Sequence, residues 1–343
     1  MAQDVRTVED AAAAAAVPAS AKSRAAKVLP SGVVSGLDRL VFRMRRGRIR
    51  FAQWFFGLFG FNIVKKADYY STLPVLKEIE ATRSRWDRPS ALAGLNIDVP
   101  LMTERLAGLA DRWEADFRAT AGNYRANQGK GFGPGYPAFD ARTLFYMLRE
   151  HKPSRYLEVG SGLSTYYATL AAKRNAEDGR QMSITCVEPY PFDALTSLPG
   201  FELIQSFVQD VPVSRFEELE AGDVFMIDST HALKIDSDVH YLFLEVLPRI
   251  APGVFVHIHD VPFPYNTPFP ADQWLFGERW PVYWNEAMIV QSFLAFNDAF
   301  EVLLSVPMLR HADESVLTAR FDDYTPLAQD ANPPSSLWLR RIA

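Results

Sequence analysis

From Arg155 onward, short apolar runs alternate with longer stretches whose apolar residues recur at helical spacing, and this alternation leaves few architectures open. The runs are Tyr156–Val159, Ser183–Val187, Phe201–Ile204, Val224–Ile227 and Val254–Ile258. A strand this apolar on both faces belongs in the middle of a sheet covered by helices on each side. Helical stretches over Ser164–Lys173 and Val239–Ile250 supply such cover. The expectation is an α/β domain over 151–321: a doubly wound, mainly parallel sheet with helices on both faces. Residues 66–150 read as a helical N-terminal region, with Leu101–Phe117 and Ala141–His151 at helical spacing. Residues 322–343, with Pro326, Pro333 and Pro334, read as an irregular tail. No repeat of solenoid length is visible.

Composition narrows the partners. The 343 residues are 48% hydrophobic and 22% charged, the balance of a globular chain. With 36 basic and 41 acidic residues the net charge is -5, which argues against nucleic acid as a partner. Cys186 is the single cysteine, so an internal disulfide or a thiolate zinc cluster is excluded. Asp4, Glu9 and Asp10 stand where a secretory signal would be basic, and the Ala11–Ala16 run is short. A cytoplasmic location is the expectation.

Residues 1–65 otherwise comprise a low-complexity leader and a basic-aromatic segment. Arg43, Arg45, Arg46, Arg48 and Arg50 precede Phe51-Ala-Gln-Trp-Phe-Phe-Gly-Leu-Phe-Gly-Phe-Asn-Ile-Val64. That stretch, interrupted by Gln53, Gly57, Gly60 and Asn62, is too short to span a bilayer. Two uses stay open for 43–64: peripheral contact with an anionic membrane, or aromatic packing on the main domain or on a second subunit of a homodimer.

The first apolar run ends in Glu158-Val-Gly160-Ser161-Gly162-Leu-Ser164. A glycine turn between a strand and a helix lets a ligand approach the backbone, beside free N–H groups of the helix start. Glu188, 26 residues past Gly162, can accept hydrogen bonds from ribose hydroxyls, and Asp210 follows the third run. A pyrophosphate-binding turn of the NAD type would have a third small residue, where this chain has Thr165. Glu158 would also repel a diphosphate while suiting a ligand that carries positive charge.

At these residues the chain resembles the class I S-adenosylmethionine-dependent methyltransferases, whose acidic-x-Gly-x-Gly motif is met by Glu158, Gly160 and Gly162. The resemblance covers roughly residues 125–310. It is similar more narrowly to a bacterial small-molecule and glycan methyltransferase subgroup sharing Leu-Glu-Val-Gly-Ser-Gly-Leu-Ser-Thr, Val-Glu-Pro-Tyr, Ile-Asp-Ser-Thr-His and His-Ile-His-Asp. The resemblance implies a Rossmann-like fold and S-adenosylmethionine as cofactor. It implies cofactor contacts from Glu158, Gly160, Ser161, Gly162, Ser164, Glu188, Asp210 and Asp228, with the glycines beside the methionine moiety, Glu188 on the ribose and Asp210 near the adenine. An NAD-type oxidoreductase and a noncatalytic cofactor-binding protein are the alternatives.

Runs four and five end in Ile227-Asp228-Ser229-Thr230-His231 and His257-Ile258-His259-Asp260. Ligands of open α/β sheets bind outside such carboxyl ends. Methyl transfer to a hydroxyl requires alignment and removal of a proton. Three readings stay open. His259 or His231 is a base, with the aspartates positioning groups; Asp228 and Asp260 hold a divalent metal such as Mg2+; or the aspartates cap turns and the histidines are structural. His257, two residues deeper in its strand, reads as structural. Beyond Asp260, prolines and aromatics through Trp284 can wall an acceptor, a small molecule or a glycan, or form ordinary core. The glycine-rich 123–136 reads as a lid or a connector.

Overall fold

The computed structural model describes residues 31–63, 70–133, 135–278 and 280–343. The leader lies outside them. The chain divides into two compact units, meeting between Val75 and Leu76. The described part of the first is dominated by α1 (Ser31–Gly57), which takes in most of the basic-aromatic segment.

The second unit runs from Leu76 to Ala343. The two long helices that precede its sheet are α2 (Val99–Ala121) and α3 (Ala138–His151). Asp98 caps α2 by accepting from the Leu101 amide, and Pro100 sits in its first turn, where a missing N–H costs nothing. These helices belong to the same compact unit as the sheet.

Seven strands then form one sheet: β1 (Arg155–Val159), β2 (Ser183–Val187), β3 (Glu202–Ile204), β4 (Val224–Ile227), β5 (Phe255–Ile258), β6 (Phe300–Ser305) and β7 (Leu337–Arg341). Their order is β3-β2-β1-β4-β5-β7-β6. The first five are parallel, and β7 runs antiparallel between β5 and β6. This is the Rossmann-like, doubly wound, mainly parallel α/β sheet, with a helical N-terminal extension. Two strands were not anticipated. β6 was not identified, and β7 lies in the tail expected to be irregular. Pro333 and Pro334 suggested a loose end, yet Leu337, Trp338 and Leu339 are fully buried. A strand paired on both sides satisfies its backbone whatever precedes it.

Period-two alternation divides the core. Tyr156, Met226 and Trp338 face α2, α3 and α4 (Leu163–Glu177), whereas Leu157, Phe225, Val256 and Leu339 face the opposite layer. That layer includes α5 (Asp238–Tyr241, extended by a π-helical turn through Val246) and α6 (Glu286–Leu294). The strand order reverses between β1 and β4, so a crevice opens at their carboxyl ends.

Candidate active site

The β1 turn is shaped by close approach. Gly160 has φ +79, and a Cβ there would lie 1.9 Å from the Asp228 carbonyl oxygen. A Cβ on Gly162 would lie 2.6 Å from the Phe132 carbonyl oxygen. The glycines therefore let β1 pass against the end of β4 and under the 129–133 segment, where Phe132 stacks on Tyr166. Glu158 does not face the crevice: it is fully buried beneath the α4 start. It accepts from Ser164 Oγ, from Thr165 Oγ1 at 2.6 Å and from Cys186 Sγ at 3.4 Å. Burial raises its carboxyl to about 7, against the pull of those donors. The acid of the glycine motif thus holds the turn together, and Ser164 is occupied in doing so.

The crevice has a volume of about 390 Å3, within the range of small-molecule sites. Gly160, Glu188, Tyr190, Phe207, Gln209 and Asp228 contribute to its wall. Glu188 is fixed by the Ser161 amide at 3.2 Å and the Tyr190 amide at 2.7 Å. Tyr190 and Phe207 meet edge to face at 5.8 Å, with exposed rings at the mouth. Asp210 is exposed and outside the lining, to which its neighbours Val208 and Gln209 contribute. The wall carries Glu188, Asp228, Asp236 and Asp238 against the single cation Lys234. Such a lining repels a diphosphate and suits a sulfonium and an ammonium, so its residues fit S-adenosylmethionine better than NAD.

Across Asp228 lies a buried charged cluster. His231 Nε2 is 3.4 Å from Asp228 and 3.2 Å from Asp260, and its Nδ1 is 2.7 Å from Glu286. Ser229 Oγ donates to Glu286 at 3.0 Å. His259 Nε2 is 3.2 Å from Asp140, while its Nδ1 faces Asp228 at 3.4 Å and Asp260 at 3.7 Å without a hydrogen-bond partner. Ser335 ties the cluster together, its amide donating to Asp140 at 2.8 Å and its hydroxyl to Asp260 at 2.9 Å. His231 and Asp260 both hold positive φ, a conformation that costs energy in non-glycine residues and concentrates at functional sites.

Burial opposes charge on His231, but Asp260, Asp228 and Glu286 outweigh it and raise its pKa well above the usual histidine value. His259 is raised likewise, burial being overcome by Asp260, Asp228 and Asp140. Burial would lift Asp228; His259 and His231 instead hold it far below the carboxylate range. His257 stands apart, stacked on Trp338 at 4.3 Å, and burial lowers it to about 3. Its ring nitrogens have no hydrogen-bond partner, so it fills core as a neutral ring.

His231, Asp260 and Glu286 also line a second, narrower cavity of about 30 Å3, beneath Pro268, Phe269, Trp274 and Trp284. Trp284 meets His231 at 4.8 Å and Trp274 at 5.0 Å. The structure thus brings Asp228, His231, His259 and Asp260 together. It adds Asp140, Glu286 and Ser335, for which the sequence analysis found no role. An isolated acid within the apolar stretch around α3 was the one local signal for Asp140.

A family model described as a methyltransferase domain matches residues 157–261. An uncharacterized protein from Archaeoglobus fulgidus is 31% identical over 172 residues, covering 46% of this chain and 75% of the relative. Among solved structures, the O-methyltransferase TomG from Streptomyces achromogenes, in complex with SAM, is 12% identical. The match covers 73% of this chain and 92% of TomG, with a TM-score of 0.40. An O-methyltransferase from Bacillus cereus in complex with SAH is 9% identical, covering 72% and 100%, with a TM-score of 0.38. The matched segment contains the glycine turn, Glu188, Asp228 and the His259–Asp260 strand end, and the chain belongs to the class I S-adenosylmethionine-dependent methyltransferases.

Proposed function

We propose that the protein methylates a hydroxyl group of a small polar acceptor, a sugar or other hydroxylated small molecule, that hydroxyl alone reaching into the cavity of about 30 Å3 beside His231. The observation that carries this reading is the contact between Asp228 and His231, which line separate cavities. Asp228 lines the cofactor crevice, and His231, 3.4 Å away, lines the narrow cavity with Asp260 and Glu286. A methyl donor on one side and an acceptor on the other meet across a few ångströms, the arrangement a displacement needs. S-adenosylmethionine supplies the electrophilic methyl group. Gly160, Glu188 and Asp228 hold and orient it. His231 Nε2 receives the acceptor's proton while Glu286 fixes the ring through Nδ1. The carboxylates around His231 keep it charged at rest, so it becomes a base only after giving up its Nε2 proton to solvent, a loss that the positive charge of S-adenosylmethionine beside Asp228 would favour. Trp274 and Trp284 exclude water and offer flat apolar faces to a ring.

A metal-assisted variant has its own support. Ligand atoms of Asp228, His259 and Asp260 lie within 4.8 Å of one another. The unpartnered Nδ1 of His259 faces the two aspartates, and Asp140 holds the ring from behind by its other nitrogen, as carboxylates do for histidines that bind metals. These residues fit a divalent cation, whose chemistry is to lower the acceptor's pKa.

The test is release of S-adenosylhomocysteine from a panel of sugars, phenols, amines and carboxylic acids, with and without a chelator. Hydroxyl acceptors should turn over, and His231→Asn should reduce turnover about 10²- to 10⁴-fold while cofactor affinity persists. Turnover confined to amines or carboxylates would sink the reading. Loss of activity with the chelator and rescue by Mg2+ or Mn2+ would select the metal-assisted variant.

A further inference from the structure

The first unit offers a surface unlike any on the second. In α1, Arg43, Arg46 and Arg50 are exposed and share one face by helical spacing. Met44, Phe51 and Phe55 occupy an adjacent face that also carries Arg48, and Trp54 follows the arginine face. The arginines of 43–50 and the rings from Phe51 onward are therefore separated mainly along the helix. Phe51, Trp54, Leu58 and Phe59 are each more than 60% exposed. The aromatic rings gather mainly on one another, Phe51 with Trp54 at 5.8 Å and Phe55 with Phe59 at 5.5 Å. Water is a poor partner for so large a contiguous apolar patch.

Charge selects the occupant. Between Arg43 and Ile63 the sequence has five arginines and no acidic residue. Setting those five aside leaves 31 basic against 41 acidic residues in the rest of the chain, so this segment is a concentrated positive patch on an otherwise acidic protein. Two copies of α1 pairing along their aromatic faces would bring arginine rows of like charge together. An anionic lipid surface meets both groups at once, phosphates taking the guanidinium groups and the acyl boundary taking the rings. No described helix is long and apolar enough to cross a membrane. We propose that α1 and the turn after it lie in the plane of an anionic membrane surface, aromatics inserted and arginines on the headgroups.

The test uses the full-length chain in vesicle co-sedimentation. Vesicles of phosphatidylcholine with about 30% phosphatidylserine should take up the protein, and pure phosphatidylcholine should take up far less. Uptake should fall as salt rises. Replacing Arg43, Arg46 and Arg50 together by Gln should weaken uptake by on the order of a hundredfold. Trp54→Ser with Phe55→Ser should abolish it. Both variants should keep the cofactor affinity of the unmodified protein, measured by calorimetry, which shows that the methyltransferase unit is folded. A blue shift of tryptophan emission on anionic vesicles that disappears in Trp54→Phe would place that ring at the interface. Failure to bind anionic vesicles, or uptake indifferent to the arginine substitutions, overturns the proposal. So does self-association, seen by light scattering, that the same aromatic variant removes while vesicles have no effect; that outcome assigns the surface to a second copy of the chain.

Discussion

The two cavities, one lined by Asp228 and the other by His231, are built differently. The cofactor crevice is half-open and walled largely by turns that directly follow β1, β2 and β4. Its fixed points are backbone amides, as where Ser161 and Tyr190 hold Glu188. The side proposed for the acceptor is largely buried and assembled from distant parts of the chain: Asp140 from α3, Glu286 from α6 and Ser335 just before β7. There the fixed points are charged side chains, each histidine clamped by an acid on one nitrogen. The first design tolerates solvent because amide geometry sets it. The second needs dryness, because charge–charge interactions strengthen as water is excluded.

Substitutions can break this contrast, beginning with the largest effect. Gly160→Ala places a Cβ on the Asp228 carbonyl at a backbone angle that disfavours side chains. A loss of about 4 kcal/mol or more in unfolding free energy is expected, with loss of cofactor binding. A stable, cofactor-binding variant would show that the turn can move away from β4. Glu286→Gln removes the acid behind His231, and turnover should fall roughly 10- to 100-fold with cofactor affinity preserved. If calorimetry showed cofactor affinity falling in step with turnover, the two cavities would not be separable.

The Glu158 carboxyl gives a pH-resolved test of the hidden part of the crevice. Burial raises it to about 7 from its ordinary value of 4.5. A raised carboxyl contributes its stability below the unfolded value and loses it as pH rises through the folded one. The contribution should therefore fade from about pH 4.5 to pH 7, by roughly 3 kcal/mol at most. Denaturant unfolding of wild type and Glu158→Gln isolates it, since the difference between them should change across that window. A constant difference would mean that the carboxyl titrates normally. The smallest effects should distinguish Glu188 from Asp210. Glu188→Ala should weaken cofactor binding by about 10- to 100-fold, the worth of charge-assisted hydrogen bonds. Asp210→Ala, at an exposed position outside the lining, should leave it within about twofold. Equal losses at the two positions would move the adenine site to Asp210.

The sequence was most informative where the cause was local. The five parallel strands announced themselves as runs apolar on both faces, and the glycine turn as a place where a Cβ has no room. What the glycines clear, however, is protein backbone at Asp228 and Phe132. Glu158 illustrates the limit: its spacing marked it as a ligand contact, and its burial makes it the anchor of Ser164 and Thr165. β7 escaped notice because Leu337-Trp-Leu is too short to show a period and follows two prolines.

Local pattern by itself determined the parallel half of the sheet, the crevice at its carboxyl ends and the candidates Asp228, His231, His259 and Asp260, since periodicity and turn sterics act over a few residues. Only the tertiary structure decided that β7 enters between β5 and β6, and that Asp140 stands behind His259 across 119 positions of chain while Glu286 stands behind His231 across 55. Pairings of that span are set by how whole layers dock, and no local periodicity encodes them.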